Sequence, residues 1–110
     1  MALTFWGLKT CDTCKKAQKA LADAGVAFAA KDVRADGVPA DELARWLIVA
    51  GAETLVNRRS TTWRNLTEEE RAGDPLTLLT AHPTLIKRPV IADGDAVHVG
   101  WSKSVQEALI

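Results

Sequence analysis

The chain carries no excess charge: 14 Lys and Arg against 14 Asp and Glu give a formal net charge of zero. That argues against wholesale wrapping of nucleic acid or an anionic membrane, which calls for a field of one sign. No apolar run approaches the roughly 20 residues needed to cross a bilayer. Met1-Ala2-Leu3-Thr4 lacks the charged and apolar regions of a signal peptide. A cytoplasmic protein with no membrane and no direct nucleic-acid partner is therefore expected. Cysteine is scarce, with two, and histidine equally so, with two. Two cysteines so close together would staple very little chain, and structural disulfides are rare in the cytoplasm. Zinc is disfavoured because His82 and His98 stand sixteen positions apart, far from the H-x3-5-H spacing of zinc sites. No metal and no bound cofactor are expected. There is no internal repeat, no low-complexity segment and no long exposed apolar face, so the expectation is a monomer. At 110 residues and 47% hydrophobic, the chain suffices for one modest core, a single domain over residues 1–110.

What is present is Cys11-Asp12-Thr13-Cys14, directly after the short apolar run Leu3-Thr4-Phe5-Trp6 and opening a helical pattern. Strand, tight loop, CxxC, helix is the layout of a thioredoxin-like redox site. A thiol at a helix N-terminus meets unpaired backbone N–H groups and the positive dipole end, and both favour thiolate. The thiolate is the nucleophile, so the layout points to sulfur chemistry.

Leu3–Trp6 reads as a strand, and Thr13–Ala24 as a helix with Ala17, Ala20, Leu21 and Ala24 on one face. Gly25 sits where a glycine ends a helix. Residues 26–33 contain a second strand centred on Ala27–Ala30, and the resulting β-α-β unit predicts parallel strands. Arg34–Pro39 is a loop. Asp41–Ala50 is a helix with Leu43, Trp46, Leu47 and Ala50 on one face, ended by Gly51. Thr67 with Glu70 is a capping box, and Asp74-Pro75 opens a helix over Leu76–His82. Residues 40–82 thus read as an all-helical block. Pro89–Ala92 and Ala96–Val99 form a hairpin about Asp93-Gly94-Asp95, and Ser102 or Ser104 caps a last helix through Leu109. The order predicts an α/β protein with a thioredoxin-like fold: β-α-β, then β-β-α, with a central helical insertion. The core takes residues 1–34 and 84–110, and the insertion about 40–82.

Cys11, at the helix start, is the candidate nucleophile. Asp12 opposes its ionisation, while Lys9, Lys15 and Lys16 favour it. Cys14, one turn on, is placed to resolve a mixed disulfide at Cys11. Asn57–Arg64 is dense in donors, and Lys87-Arg88 immediately precedes Pro89. Guanidinium forks bind oxyanions and carboxylates. In a thioredoxin-like layout the residue before the proline opening the third core strand approaches the cysteine loop. Arg88 is therefore expected to stabilise the thiolate or hold an anionic substrate. One of Arg58 and Arg59 is expected to join it, and Arg64 to stay at the surface. Pro89 is a candidate cis peptide on the same layout. The four tryptophans, Trp6, Trp46, Trp63 and Trp101, read as core or groove walls.

Cys11-Asp12-Thr13-Cys14-Lys15-Lys16-Ala17, the Asn57–Arg64 segment, and His82-Pro83 with Ile86-Lys87-Arg88-Pro89-Val90 together resemble the ArsC family. The resemblance runs over nearly the whole chain and leans to the YffB-like branch, with the Spx and MgsR regulators nearby. It implies a thioredoxin-like fold with a helical insertion. It also implies that Cys11 is the nucleophile, Arg88 the arginine before a cis-proline, Pro89 that proline, and Arg59 the arginine of the Asn-x-Arg-x-Thr-Thr-Trp segment. On that branch the implied activity is that of a glutathione-dependent thiol reductase, with glutathione or a glutathionylated substrate as partner. Two departures bear on arsenate reduction. Gly7 stands where arsenate reductases have a histidine, and Gly100-Trp101-Ser102 lacks a further arginine. Cys14 departs the other way, toward the Spx regulators, for which the resemblance implies a redox switch and a partner in the RNA polymerase α subunit.

Overall fold

The computed structural model describes residues 3–110, and its backbone packs as two compact units. One runs through Asp32 and resumes at Arg88–Ile110; the other is Val33–Lys87. Residues 1 and 2, counted in the expected core segment, lie outside the described residues.

The first unit holds β1 (Leu3–Gly7), α1 (Asp12–Asp23), β2 (Phe28–Asp32), β3 (Val90–Asp93), β4 (Ala96–Val99) and α7 (Lys103–Leu109). Its four strands run in the order β2-β1-β3-β4. β1 pairs parallel with β2 and antiparallel with β3, and β3 pairs antiparallel with β4. This is the thioredoxin-like arrangement that the element order predicts. The hairpin partner Ala96–Val99 falls where the alternation put it, and Ser102 rather than Ser104 caps the last helix, accepting a hydrogen bond from the Val105 N–H.

β2 starts later than the sequence pattern suggests, because residues 24–26 are still engaged in closing α1. Gly25 N–H bonds to Ala22 C=O and Val26 N–H to Leu21 C=O, with Gly25 at φ +76. That is a Schellman closure, in which the residue after the glycine packs back on the helix, and Val26 does lie against the cluster containing Leu21. The buried stripe of α1 also differs from expectation. It is Cys14, Ala17 and Leu21, with Ala24 exposed. These three meet Leu3, Phe5 and Ile91 from the sheet. Phe5 and Ile91 are paired across β1 and β3, which sets both side chains on the helix-covered face. Cys14 is therefore a core residue as well as a member of the CxxC pair.

The second unit holds α2 (Ala40–Ala50), α3 (Ala52–Leu55), α4 (Thr61–Arg64), α5 (Glu68–Arg71), α6 (Pro75–Ala81) and a 3-10 turn at Pro83–Leu85. Leu43 and Trp46 bury α2, and Leu78 and Leu79 bury α6. The Thr67–Glu70 capping box and the Asp74 cap with proline at the first helical position are both formed. The block is not wholly helical, however. Val56 and Ile86 form an antiparallel bridge, closed by Asn57 N–H to Leu85 C=O and Lys87 N–H to Leu55 C=O, each 2.7 Å. The bridge joins chain segments thirty residues apart, a pairing that local periodicity does not encode. Among the described residues no helix is long and apolar enough to cross a membrane.

Candidate active site

Cys11 occupies the N-cap position of α1, with extended backbone angles of φ −86 and ψ 117. In four other helices the corresponding residue is Ser60, Thr67, Asp74 or Ser102, and each accepts a hydrogen bond from a first-turn N–H. At α1 a sulfur stands where those helices place an oxygen. It closes no cap bond of that kind, but the first-turn N–H of Cys14 lies near enough to favour its ionised form, and a negative charge gains most from such unpaired N–H groups.

The ionisation of Cys11 is set by opposing effects. Partial burial pushes its pKa up. The Cys14 N–H, the Cys14 thiol and the Arg88 guanidinium outweigh that burial, Arg88 acting both by hydrogen bond and by charge, and they hold the Cys11 thiol below its ordinary value. Cys14 goes the other way. Burial, then the neighbouring Cys11, push it up to about 11, against a lowering contribution from the Leu8 N–H. Both cysteines are thiols. The two shifts are of opposite sign: Cys14 holds its proton and donates it toward Cys11, and Cys11 is the more readily ionised of the pair.

Gly7 explains how Cys14 fits. A Cβ at residue 7 would lie 3.0 Å from Cys14 Sγ, 3.3 Å from its Cβ and 2.9 Å from the Phe5 ring. The loop between Gly7 and Cys11 is closed by Cys11 N–H to Leu8 C=O at 3.0 Å. The sequence marks Gly7 as a departure from the arsenate reductases, but its steric role appears only once β1 and α1 are packed together.

Arg88 and Pro89 stand at the entry to β3. The Arg88–Pro89 peptide is cis, Pro89 is buried, and its carbonyl accepts the Gly100 N–H at 2.7 Å. The strand order places β3 beside β1, and that is what carries Arg88 to a cysteine distant in sequence. Trp101 packs, partly buried, against the same cluster as Cys11, while Trp6 and Trp46 are core.

Arg58 and Arg59 belong to the second unit. Both are exposed, and together with Lys87, Glu53, Asn57 and Val56 they line a cavity of about 400 Å³. Arg58 also lies over the Trp63 ring at 5.8 Å. Arg64 is exposed, as the sequence suggests. The sequence alone does not single out Lys87, which stands beside Arg88 in the motif before Pro89, or Glu53, which stands in none, because the Val56–Ile86 bridge that sets their segments together is not encoded locally.

Fold and site define a thioredoxin-like protein with one activated sulfur at a helix start, faced by an arginine that precedes a cis-proline. The chain belongs to the ArsC family, whose model matches residues 6–109. It is 39% identical to an uncharacterized protein of Haemophilus influenzae over 96% of each chain. The solved structure of a protein named YFFB superposes with a TM-score of 0.91, at 35% identity and 98% coverage of both chains. An arsenate reductase (ArsC) related protein from Brucella melitensis follows with a TM-score of 0.79, 37% identity, and coverage of 98% of this chain and 93% of that one. The global transcriptional regulator Spx of Bacillus subtilis is 24% identical over 92% of this chain and 81% of its own length.

Proposed function

We propose that the protein is a glutathione-dependent thiol-disulfide reductase in which Cys11 is the nucleophile. The observation that carries this reading is the place of Cys11 at the N-cap of α1, beside the Cys14 N–H and the Arg88 guanidinium that precedes the cis-proline, groups that favour its thiolate. The Cys11 thiolate attacks the glutathione sulfur of a mixed disulfide. A Cys11–glutathione disulfide forms, the original S–S bond breaks, and the substrate leaves as a thiolate that takes a proton from water. A second glutathione, as thiolate, then attacks the glutathione sulfur bound to Cys11. That step yields oxidised glutathione and regenerates the Cys11 thiolate, so one glutathione thiol is oxidised as the substrate sulfur is reduced, and the glutathione half of the mixed disulfide leaves within the oxidised glutathione. Arg88 stabilises the anion at the start and end of the cycle.

Cys14 is the alternative resolving group. Its raised pKa argues against that role, because resolution needs a thiolate and burial keeps Cys14 protonated. Glutathione in solution is then the better second nucleophile. The test is turnover of a glutathione mixed disulfide by wild type, Cys11→Ser and Cys14→Ala. Cys11→Ser is expected to fall to background and Cys14→Ala to retain turnover. Equal rates for wild type and Cys11→Ser remove the mechanism.

Arsenate reduction on the same residues is supported by family membership and by the Brucella melitensis relative. A coupled assay with arsenate and glutathione decides it. Gly7 bears on the outcome, since β1 presents no side chain at that point beside the cysteines. A regulator that binds the RNA polymerase α subunit and does no turnover is favoured by the intact CxxC pair and the likeness to Spx. Capture by the polymerase α C-terminal domain, with and without oxidant, separates it from the enzyme reading.

A further inference from the structure

The cavity in the second unit has a lining that is charged but not of one sign. Arg58, Arg59 and Lys87 contribute three cations, and Glu53 contributes one carboxylate, with Asn57 between them and Val56 as an apolar wall. Its volume of about 400 Å³ lies in the range of small-molecule sites.

Backbone bonds hold the walls in place. The Val56–Ile86 bridge fixes the segment bearing Lys87 against the segment leading to Arg58 and Arg59. The turn between is tied by Arg59 N–H to Asn57 Oδ1 at 3.1 Å and by Ser60 Oγ to Asn57 C=O at 2.8 Å. Glu53 comes from α3, whose last residue, Leu55, accepts the Lys87 N–H. Cationic and anionic walls are thus cross-linked to each other, which lowers the ordering cost of binding.

This mixture of charges selects among ligands. Guanidinium forks match carboxylate and phosphate equally well. A compact phosphate has nothing to offer Glu53 and would be repelled by it. A ligand that uses both walls needs an ammonium close to a carboxylate and, since cations outnumber the carboxylate three to one, an overall negative charge. We propose that this pocket binds the zwitterionic end of an acidic amino acid or small peptide, its carboxylate held by Arg58, Arg59 and Lys87 and its ammonium by Glu53. The inference rests on the reductase reading only for the identity of the carrier, because the γ-glutamyl residue of glutathione ends in that pair of groups.

The experiment is an amide-resolved NMR titration of the reduced full chain with S-methylglutathione, which cannot take part in thiol exchange. Parallel titrations use its des-amino counterpart, glutaryl-S-methylcysteinylglycine, and inorganic phosphate. Saturable shifts are expected at amides 53–59 and 87 with S-methylglutathione. The des-amino compound should bind about fivefold more weakly or worse. Glu53→Gln should weaken S-methylglutathione by a similar factor while the des-amino compound, relieved of repulsion by the carboxylate, binds as well as before or more tightly, and Lys87→Gln should weaken both. Preserved spectra elsewhere establish that each variant is folded. The proposal is overturned by shifts that avoid these amides, by phosphate binding as tightly as S-methylglutathione, or by a Glu53→Gln variant that does not distinguish the two peptides. Binding with no mixed-disulfide turnover would remove the reductase reading and leave the pocket standing; turnover without binding at these amides would do the reverse.

Discussion

Gly7 lies against Cys14 so closely that a Cβ there would reach 3.0 Å from the cysteine sulfur. The last residue of β1 and the first buried residue of α1 therefore share one volume. A side chain at position 7 competes with the thiol that hydrogen-bonds to Cys11.

Gly7→Ala is expected to destabilise the fold by about 1–3 kcal/mol, the usual cost of overpacking a filled core. The Phe5 ring, 2.9 Å from the added atom, is fully buried and has little room to retreat. Displacing Cys14 also weakens its bond to Cys11, so the pH midpoint of Cys11 alkylation should rise. Urea unfolding and an alkylation titration read the two effects. A variant as stable as wild type, with an unchanged midpoint, would contradict the packing argument.

Alkylation of Cys11 should have its midpoint below that of a free thiol, about 8.5. Arg88→Ala removes a hydrogen bond and a positive charge and should move the midpoint upward. Arg88→Lys keeps the charge and should recover part of the shift. Peptide mapping by mass spectrometry assigns the label to its residue. Identical midpoints for wild type and Arg88→Ala would sever Arg88 from the thiolate.

Cys14 predicts an alkaline loss of stability. Its folded pKa, about 11, lies above the unfolded thiol value of about 8.5. The native state therefore binds the proton more tightly, and its stabilising contribution is complete below the unfolded value. It declines as pH rises between the two. Cys11 has the opposite sign, because its folded pKa is depressed, and its contribution is lost as pH falls through that lower value. In Cys14→Ala the decline of unfolding free energy above pH ~9 should be shallower than in wild type. Parallel slopes in the two proteins would show that Cys14 titrates normally.

Arg71 joins α5 to α4. Its Nε donates to Trp63 C=O at 3.1 Å, its Nη2 donates to Arg64 C=O at 3.2 Å, and its guanidinium lies 5.4 Å from the Trp63 ring centre. Arg71→Ala should cost about 1–2 kcal/mol. Arg71→Lys should not restore the loss, since an ammonium lacks the fork that reaches both carbonyls. Chemical denaturation of the three proteins measures the difference.

Local features were written plainly in the chain. The Thr67–Glu70 box, the Asp74-Pro75 start and the Gly25 stop each satisfy backbone groups a few residues away. Nothing distant is needed to form them. The hairpin about Gly94 is legible for the same reason. Where the reading missed, a contact from elsewhere had intervened. Val56 looked like part of a helical block but pairs with Ile86. Cys14 does stand in the first turn of α1, but the apolar stripe left it out, and it belongs to the core that β1 and β3 complete.

The sequence by itself determined the order of elements and placed a cysteine at the first unpaired N–H groups of α1, because caps and periodicity act over one or two helical turns. Tertiary structure alone decided which charges meet that sulfur. Arg88 is seventy-seven positions from Cys11, and it arrives only because β3 pairs with β1 in a register that sets Val90 beside Trp6. The same packing makes one thiol acidic and the other reluctant to ionise, since burial and neighbouring charge are properties of surroundings assembled from distant parts of the chain.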